Sequence, residues 1–224
     1  MYFKIPVNFY QKFEIRKLSW KNLDEVTAFV IKYYSPRSPV GKIFRERLEE
    51  TQAFDVLRLK DKLKNSICFG GYEKGREKLI GVNFGTIHKD VMYSPCPTAE
   101  CLKDMSALPL SEQFFQWFEK DLLERLNVKK IMLSELGALH PDHTGKGILE
   151  AFLKHLVDAA IETKCEALVA SAVSLYSQKK LEKLGFSLLK EIKYSDWIDP
   201  RTGKKPDLNL SPVHSHVKIY YIPV

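Results

Sequence analysis

The stretch from Lys129 to Thr163 constrains the fold most, because a strand, a glycine turn and a helix follow one another there without a gap. Ile131 to Leu139 is a mostly apolar run that is too short for a globular helix and stops before Pro141, which predicts a buried strand. Thr144-Gly145-Lys146-Gly147 predicts a tight turn. Apolar residues then recur at helical spacing, which predicts an amphipathic helix.

The turn before this helix is a candidate anion site. The first N–H groups of a helix have no partner within the helix, and the helix dipole favours negative charge there. Gly145 and Gly147 bring bare backbone close to whatever binds. The usual nucleotide motifs, G-x-x-x-x-G-K-[ST] and G-x-G-x-x-G, are absent. The alternative is a tight turn that binds nothing.

Size and charge limit the possible functions. The chain has 224 residues, of which 45% are hydrophobic, so we expect one domain spanning residues 1–224. A net charge of +7 suits acidic small molecules, and would also suit RNA or a membrane surface. No basic run has the aromatic interleaving of a nucleic-acid module, and no segment is long enough to span a bilayer. We therefore expect neither a nucleic-acid partner nor a membrane partner.

The cysteine content points to a reducing compartment. Cys68, Cys96, Cys101 and Cys165 do not form a dense disulfide framework, and the first residues lack the apolar segment of a signal peptide. We therefore expect a cytoplasmic protein with free thiols. Cys96 and Cys101 have no partner ligands at zinc spacing, so we expect no metal.

Hydrophobic periodicity predicts the remaining elements. Strands are predicted at residues 13–18, 67–72, 79–88, 167–170, 186–194 and 217–222. Helices are predicted at about 22–33, 42–64, 111–126 and 174–184, with a loop from 89 to 110. Strands 67–72 and 79–88 should pair as a hairpin, and helix 42–64 should lie over the sheet as a lid. This order predicts an α/β (α+β) sandwich with a mixed sheet that splays at its centre.

The central motif, Leu139-His140-Pro141-Asp142-His143-Thr144-Gly145-Lys146-Gly147-Ile148, resembles the coenzyme A pyrophosphate motif of the GNAT acetyltransferases. The resemblance implies the GNAT acyl-CoA N-acyltransferase fold, with acetyl-CoA as co-substrate. It implies coenzyme contacts from Leu139, His140, Thr144, Gly145, Lys146, Gly147, Ile148, Leu149 and Lys180. Thr144 replaces the family's Arg or Gln, and Leu149 replaces its final Gly or Ala.

Segments near the C-terminus, namely Leu181 to Phe186, Glu191 to Trp197 and Pro212-Val213-His214, resemble the invertebrate arylalkylamine N-acetyltransferases. This resemblance implies acetyl transfer to a small primary amine such as dopamine, tyramine, octopamine, serotonin or tryptamine, by direct attack in a ternary complex. We expect the amine to be surrounded by Tyr33, Tyr34, Trp197 and His214, with core packing as the alternative role of the aromatic rings. We expect a monomer or a weak homodimer.

Three residues are candidates for proton transfer. The family's general base is a Glu whose position Ser38 occupies, and a hydroxyl cannot take the amine proton unaided at neutral pH. Glu135 is the candidate replacement, expected to share a strand face with Gly137 and Leu139, and an ion pair with Lys or Arg is its alternative role. Ser177 matches a serine that assists proton transfer in the insect enzymes, with helix capping as its alternative role.

Other functions stay open. An acidic pocket would favour a polyamine acetyltransferase, and an open groove would favour one acting on protein N-termini. Ser38, Thr144, Leu149 and Leu181, the last in place of the family's Tyr acid, favour a non-catalytic acyl-CoA binder.

Overall fold

The computed structural model describes residues 5–46, 48–89, 108–211 and 213–224. The strands are β1 (Phe13–Lys17), β2 (Ile67–Glu73), β3 (Lys78–Lys89), β4 (Lys130–Leu139), β5 (Ala167–Ala172), β6 (Ser187–Lys193) and β7 (His216–Pro223). The α-helices are α1 (Phe9–Lys12), α2 (Leu23–Tyr33), α3 (Pro39–Ile43), α4 (Leu48–Asn65), α5 (Leu110–Glu119), α6 (Leu122–Leu126), α7 (Ile148–Glu162) and α8 (Leu175–Lys183). Cys96, Cys101 and most of the predicted loop between 89 and 110 lie outside the described residues.

The strands form one seven-stranded sheet in the order β1-β2-β3-β4-β5-β7-β6. Only β4 and β5 pair in parallel, and all other neighbours are antiparallel. The predicted hairpin is β2 and β3. The sheet is therefore mixed, as predicted, and in the described chain its one parallel pair lies at the centre.

Helices cover both faces of the sheet. Val26 of α2 and Leu59 of α4 pack over Val82 on one face, and α5 extends the same layer. Helices α7 and α8 pack on the other face, where Leu156 and Leu181 join a cluster with Tyr220. Burying apolar residues on both faces supplies the main driving force for folding.

Two predicted helices are each broken in the structure. The helix predicted from 42 to 64 is α3 and α4, separated by a turn in which Arg45 has a left-handed conformation with φ 55°. The helix predicted from 111 to 126 is α5 and α6. Helix α4 does lie over the sheet, as predicted, but Leu59 and Leu63 anchor it in the core. No helix in the described ranges has both the length and the apolar composition to cross a bilayer.

Candidate active site

Strands β4 and β5 separate in the middle of the sheet. Their pairing runs only from Ile131 opposite Ala167 to Ser134 opposite Ala170, whereas β4 stays paired with β3 as far as Leu139. Beyond Ser134, no strand of the described chain pairs with the β5 side of β4. This fork opens into a cavity of about 810 Å³, which both strands help to line.

A β-bulge lies in β4 at the start of the fork. Phe84 of β3 faces Leu136 and the next residue, Gly85, faces Ser134, so Glu135 has no opposite residue on β3. An extra residue in one strand bends that strand and shifts the alternation of its side chains.

The bulge overturns one prediction about Glu135. Glu135 contacts Lys62 of α4 on one face of the sheet, whereas Leu139 packs with Phe152 of α7 on the other face. The prediction that Glu135 and Leu139 share a face was therefore wrong. It assumed an uninterrupted period of two.

Glu135 forms ion pairs on the α4 side. Its carboxylate lies 2.5 Å from Nζ of Lys62 and 3.5 Å from Nε2 of His88, and Lys62 also donates to Thr86 at 3.1 Å. Burial by itself would raise the pKa of Glu135, but Lys62 and His88 outweigh it and hold the pKa at about 2. The structure thus shows the ion-paired alternative, and a carboxylate with so low a pKa is a weak proton acceptor.

The glycine turn forms the cavity wall at the start of α7. Gly145 and Gly147 have φ angles of 74° and 88°, which favour glycine. A Cβ on Gly147 would lie 2.5 Å from Cδ of Pro6, so packing also requires this glycine. A Cβ on Gly145 would meet nothing within 4 Å. The turn is therefore fixed on its Pro6 side and open beside Gly145.

An ion pair crosses the cavity wall from α8 to α7. Lys180 pairs with Glu150 in the first turn of α7, and both residues line the cavity. Leu149 lines it as well and packs against the α7–α8 cluster. An anion at the α7 N-terminus would compete with Glu150 for Lys180 and would lie beside the Leu149 side chain.

The start of α8 holds the predicted serine. Ser174 and Ser177 form a capping box: Ser177 N–H donates to Ser174 Oγ at 3.1 Å, and Ser174 N–H donates to Ser177 Oγ at 3.3 Å. Nδ1 of His214 accepts a hydrogen bond from Leu175 N–H at 3.1 Å, and burial together with Lys42 lowers the pKa of His214. Ser174, Ser177 and His214 all line the cavity.

The segment after α2 forms the opposite wall. Ser38 caps α3 by accepting a hydrogen bond from Gly41 N–H at 3.3 Å. Tyr34 lies beside Ser38 in this wall, and burial raises the pKa of Tyr34. Tyr33, Tyr34 and Ser38 all line the cavity.

Three of the predicted site residues lie elsewhere. Trp197 is 4% exposed and packs against Phe44 and Phe114 in the core, so its core alternative is the one observed. The ring of His140 packs against the ring of Tyr33, and the two ring centroids are 4.6 Å apart. Lys146 is exposed on the turn. None of the three is among the cavity-lining residues.

The remaining predicted residues come together in the one cavity. They are Glu135, Ser177, Ser38, Leu139, Thr144, Gly145, Gly147, Ile148, Leu149, Lys180, Tyr33, Tyr34 and His214. The sequence interpretation missed Asn83, Ser134 and Phe115, which also line it. Ser134 donates to Asn83 at 3.2 Å, and a buried asparagine inside an otherwise apolar strand was the available signal. In the described part of the chain, no group of His, Cys, Asp and Glu is arranged to hold a metal ion.

Comparisons with known proteins give matches only at the level of structure. No protein-family model matches the sequence, and a search of curated proteins finds no match. The structure of mosquito arylalkylamine N-acetyltransferase like 5b matches with a TM-score of 0.74 and 16% identity, over 95% of this chain and 100% of that one. Arylalkylamine N-acetyltransferase 2 from Aedes aegypti matches with a TM-score of 0.71 and 18% identity, over 94% and 98%.

A third match is a polyamine N-acetyltransferase from Drosophila melanogaster, which catalyses the formation of N-acetylagmatine. Its TM-score is 0.70 and its identity 14%, over 95% of this chain and 100% of that one. At such identities, structural likeness establishes the fold and leaves the reaction to the site residues. The chain therefore has the GNAT N-acetyltransferase fold over nearly its whole length.

Proposed function

We propose that this protein transfers the acetyl group of acetyl-CoA to a small primary amine, with arylalkylamines as the preferred acceptors. The observation that carries the proposal is a cavity that extends from the glycine turn before α7 to the fork between β4 and β5. Its volume of about 810 Å³ lies in the range of ligand-binding cavities.

The coenzyme end of the cavity is the start of α7. Backbone N–H groups in the first turn of a helix and the helix dipole favour a pyrophosphate. A Cβ on Gly145 would meet nothing within 4 Å, so the space beside this glycine is open on the cavity side. In this proposal Lys180 gives up its ion pair with Glu150 and pairs with a phosphate group instead. The side chain of Leu149 narrows the site, but it removes no backbone N–H donor.

The fork supplies a donor for the thioester carbonyl. His140 N–H donates to the Ile80 carbonyl on β3 at 2.8 Å. Because successive N–H groups along a strand point to opposite sides, Leu139 N–H points into the fork. We assign this N–H the role of polarising the carbonyl, which lowers the barrier to attack.

Transfer is proposed to be direct. Cys68 and Cys165 are buried, and neither lines the cavity, so neither is placed to form an acyl-enzyme. Ser177 is our candidate for stabilising the thiolate, since its hydroxyl lines the cavity. Ser38 and Glu135 are the other polar candidates, and we assign Glu135 to holding α4 because its carboxylate pairs with Lys62.

The amine end is aromatic. Tyr33, Tyr34 and Phe115 line the cavity on the side of α2 and α5, and aromatic rings favour an aryl group through their faces and edges. A diamine or guanidino-amine is the second candidate, because Glu46, Asp55 and Glu112 line a smaller chamber beside this wall. We further propose that the protein acts in the cytoplasm as a monomer or a weak homodimer, and size-exclusion chromatography checks the oligomeric state.

Calorimetric titration with acetyl-CoA followed by an amine panel tests the proposal. The panel contains dopamine, tyramine, tryptamine, agmatine, putrescine and a short peptide, at moderate salt so that net charge alone does not hold the coenzyme. We expect micromolar coenzyme binding and transfer to the arylalkylamines. Binding without transfer would identify an acyl-CoA binder, and the absence of binding would overturn the proposal.

A further inference from the structure

A second chamber of about 250 Å³ adjoins the main cavity. The two share Tyr34, Ser38 and Phe115 as lining residues. The chamber therefore begins at the wall of the main cavity that these three residues form. A molecule bound in the chamber would have one end at this shared wall, next to the cavity that we assign to acetyl-CoA.

The chain brings a carboxylate back to this wall. The left-handed Arg45 reverses the chain after α3, and Glu46 N–H donates to the Gly41 carbonyl at 2.9 Å. A Cβ built on Gly41 would lie 3.8 Å from Oε2 of Glu46 and 3.9 Å from Oγ of Ser38. Both oxygens therefore lie near Gly41, and Glu46 and Ser38 line the same chamber.

The other charged groups of the chamber are largely engaged with one another. Arg58 of α4 pairs with Glu112 of α5 and lies 3.6 Å from Asp55. Glu46 instead accepts a hydrogen bond from Ser111 N–H at 2.7 Å. Three carboxylates, Glu46, Asp55 and Glu112, line the chamber with two cations, Arg58 and the exposed Lys42. The excess of negative charge favours a cationic ligand such as an ammonium group.

We propose that this chamber binds the cationic acceptor amine and that Glu46 is the proton acceptor of the reaction. This inference rests on the acetyl transfer proposed above. One ammonium proton passes to the Glu46 carboxylate, and the freed nitrogen lone pair attacks the thioester carbonyl carbon. The N–C bond forms, the C–S bond breaks, and the second nitrogen proton leaves with the coenzyme thiolate.

The electrostatic surroundings favour Glu46 over Glu135 for this step. Burial raises the pKa of Glu46, an effect that the hydrogen bonds from Ser111 only partly offset, whereas the pKa of Glu135 is held at about 2. A base is more effective when its pKa is closer to the working pH. Among the residues that the structure describes, the charged and titratable groups that line the chamber with Glu46 are Tyr34 from the end of α2, Lys42 of α3, Asp55 and Arg58 of α4, and Glu112 of α5.

The test is Glu46→Gln, whose amide oxygen can still accept the Ser111 N–H bond. We expect kcat/KM for the best amine to fall at least about 100-fold, the usual size of a general-base contribution. We expect the rise of activity with pH that reports Glu46 ionisation to disappear, while acetyl-CoA affinity by calorimetry stays the same. The control is Glu162→Gln, an exposed carboxylate at the end of α7, which should leave all three measurements unchanged.

The outcomes separate this inference from the proposed function. If E46Q keeps its kcat/KM within about twofold and retains the native pH profile, the role of Glu46 is overturned while acetyl transfer stands. The same holds if E135Q loses the pH dependence and E46Q does not. If the native protein acetylates none of the amines, the proposed function fails first, a result visible without any variant, and the inference fails with it.

Discussion

At the residue scale, the pair formed by Lys62 and Glu135 joins α4 to the bulge in the central strand. Their side chains are 20% and 24% exposed, so the pair is partly shielded from water. Removing one partner of such a pair leaves the other charge poorly solvated, which costs more than the pair itself contributes.

The first prediction concerns Glu135→Gln. We expect the free energy of unfolding at pH 7 to fall by roughly 2 kcal/mol, with most of the loss coupled to Lys62 in a double-mutant cycle with Lys62→Met. Because the folded-state pKa of about 2 lies below the ordinary 4.5, the contribution is full above about pH 4.5 and is lost as the pH falls through 2. Urea unfolding of native protein and variant at several pH values measures this. A constant difference down to pH 2 would contradict the assignment.

The second prediction compares two glycines that have nearly the same left-handed φ angle. Gly145 and Gly75 have φ angles of 74° and 77°, and a Cβ on either would meet nothing within 4 Å. Gly145→Ala and Gly75→Ala should therefore cost similar stability, about 1 kcal/mol. Only Gly145→Ala should weaken acetyl-CoA binding, by about tenfold, since its methyl group enters the proposed pyrophosphate site. Equal affinities by calorimetry would remove the coenzyme from this turn.

At this scale, the sequence predicts a site residue best when that residue is close in sequence to the other residues of the site. The residues of the glycine turn lie within one short segment, so their spacing predicts that they meet. Glu46 and Asn83 reach the site only through the turn at Arg45 and the pairing of β3 with β4. No periodicity or motif in the sequence signals Glu46, and the only local signal for Asn83 is a polar residue inside an otherwise apolar strand.

At the element scale, two leucines of α4 allow the packing of this helix against the sheet to be measured. Leu59 is 1% exposed in the cluster beneath α4, and Leu57 on the same helix is 45% exposed. We expect Leu59→Ala to lower the free energy of unfolding by about 2–5 kcal/mol, because it leaves a cavity. Leu57→Ala should change it by less than about 0.5 kcal/mol. Denaturant unfolding of both variants measures this, and similar values would mean that α4 is not docked as described.

The element order was predictable because apolar periodicity survives in the strands, but the breaks inside two predicted helices were not. The break between α3 and α4 depends on the left-handed Arg45, whereas α6 ends at Leu126, where the predicted helix ends. An arginine gives no local signal for such a conformation, whereas Gly147 does. Tertiary packing overrides intrinsic propensity at these positions.

At the scale of the whole molecule, coenzyme binding should stabilise the fold. Acetyl-CoA at about 100 times its Kd should add about 2.7 kcal/mol to the free energy of unfolding. For a chain of this length that raises Tm by roughly 5–10 °C. Scanning calorimetry with and without acetyl-CoA measures the shift, and Gly75→Ala should retain it. A shift below about 1 °C at saturation would mean that the ligand does not bind the folded core.

The four paired positions between β4 and β5 also form the boundary between two halves of the sheet. Strands β1 to β4 form one half-sheet, β5 to β7 form the other, and the backbone hydrogen bonds between them end at Ser134. A molecule bound in the fork would contact both halves of the sheet and would hold them together for as long as it stayed bound. The lifetime of the intact protein against proteases would then rise and fall with the supply of that molecule. The amount of this protein in a cell would then depend on the concentration of the metabolite that it binds.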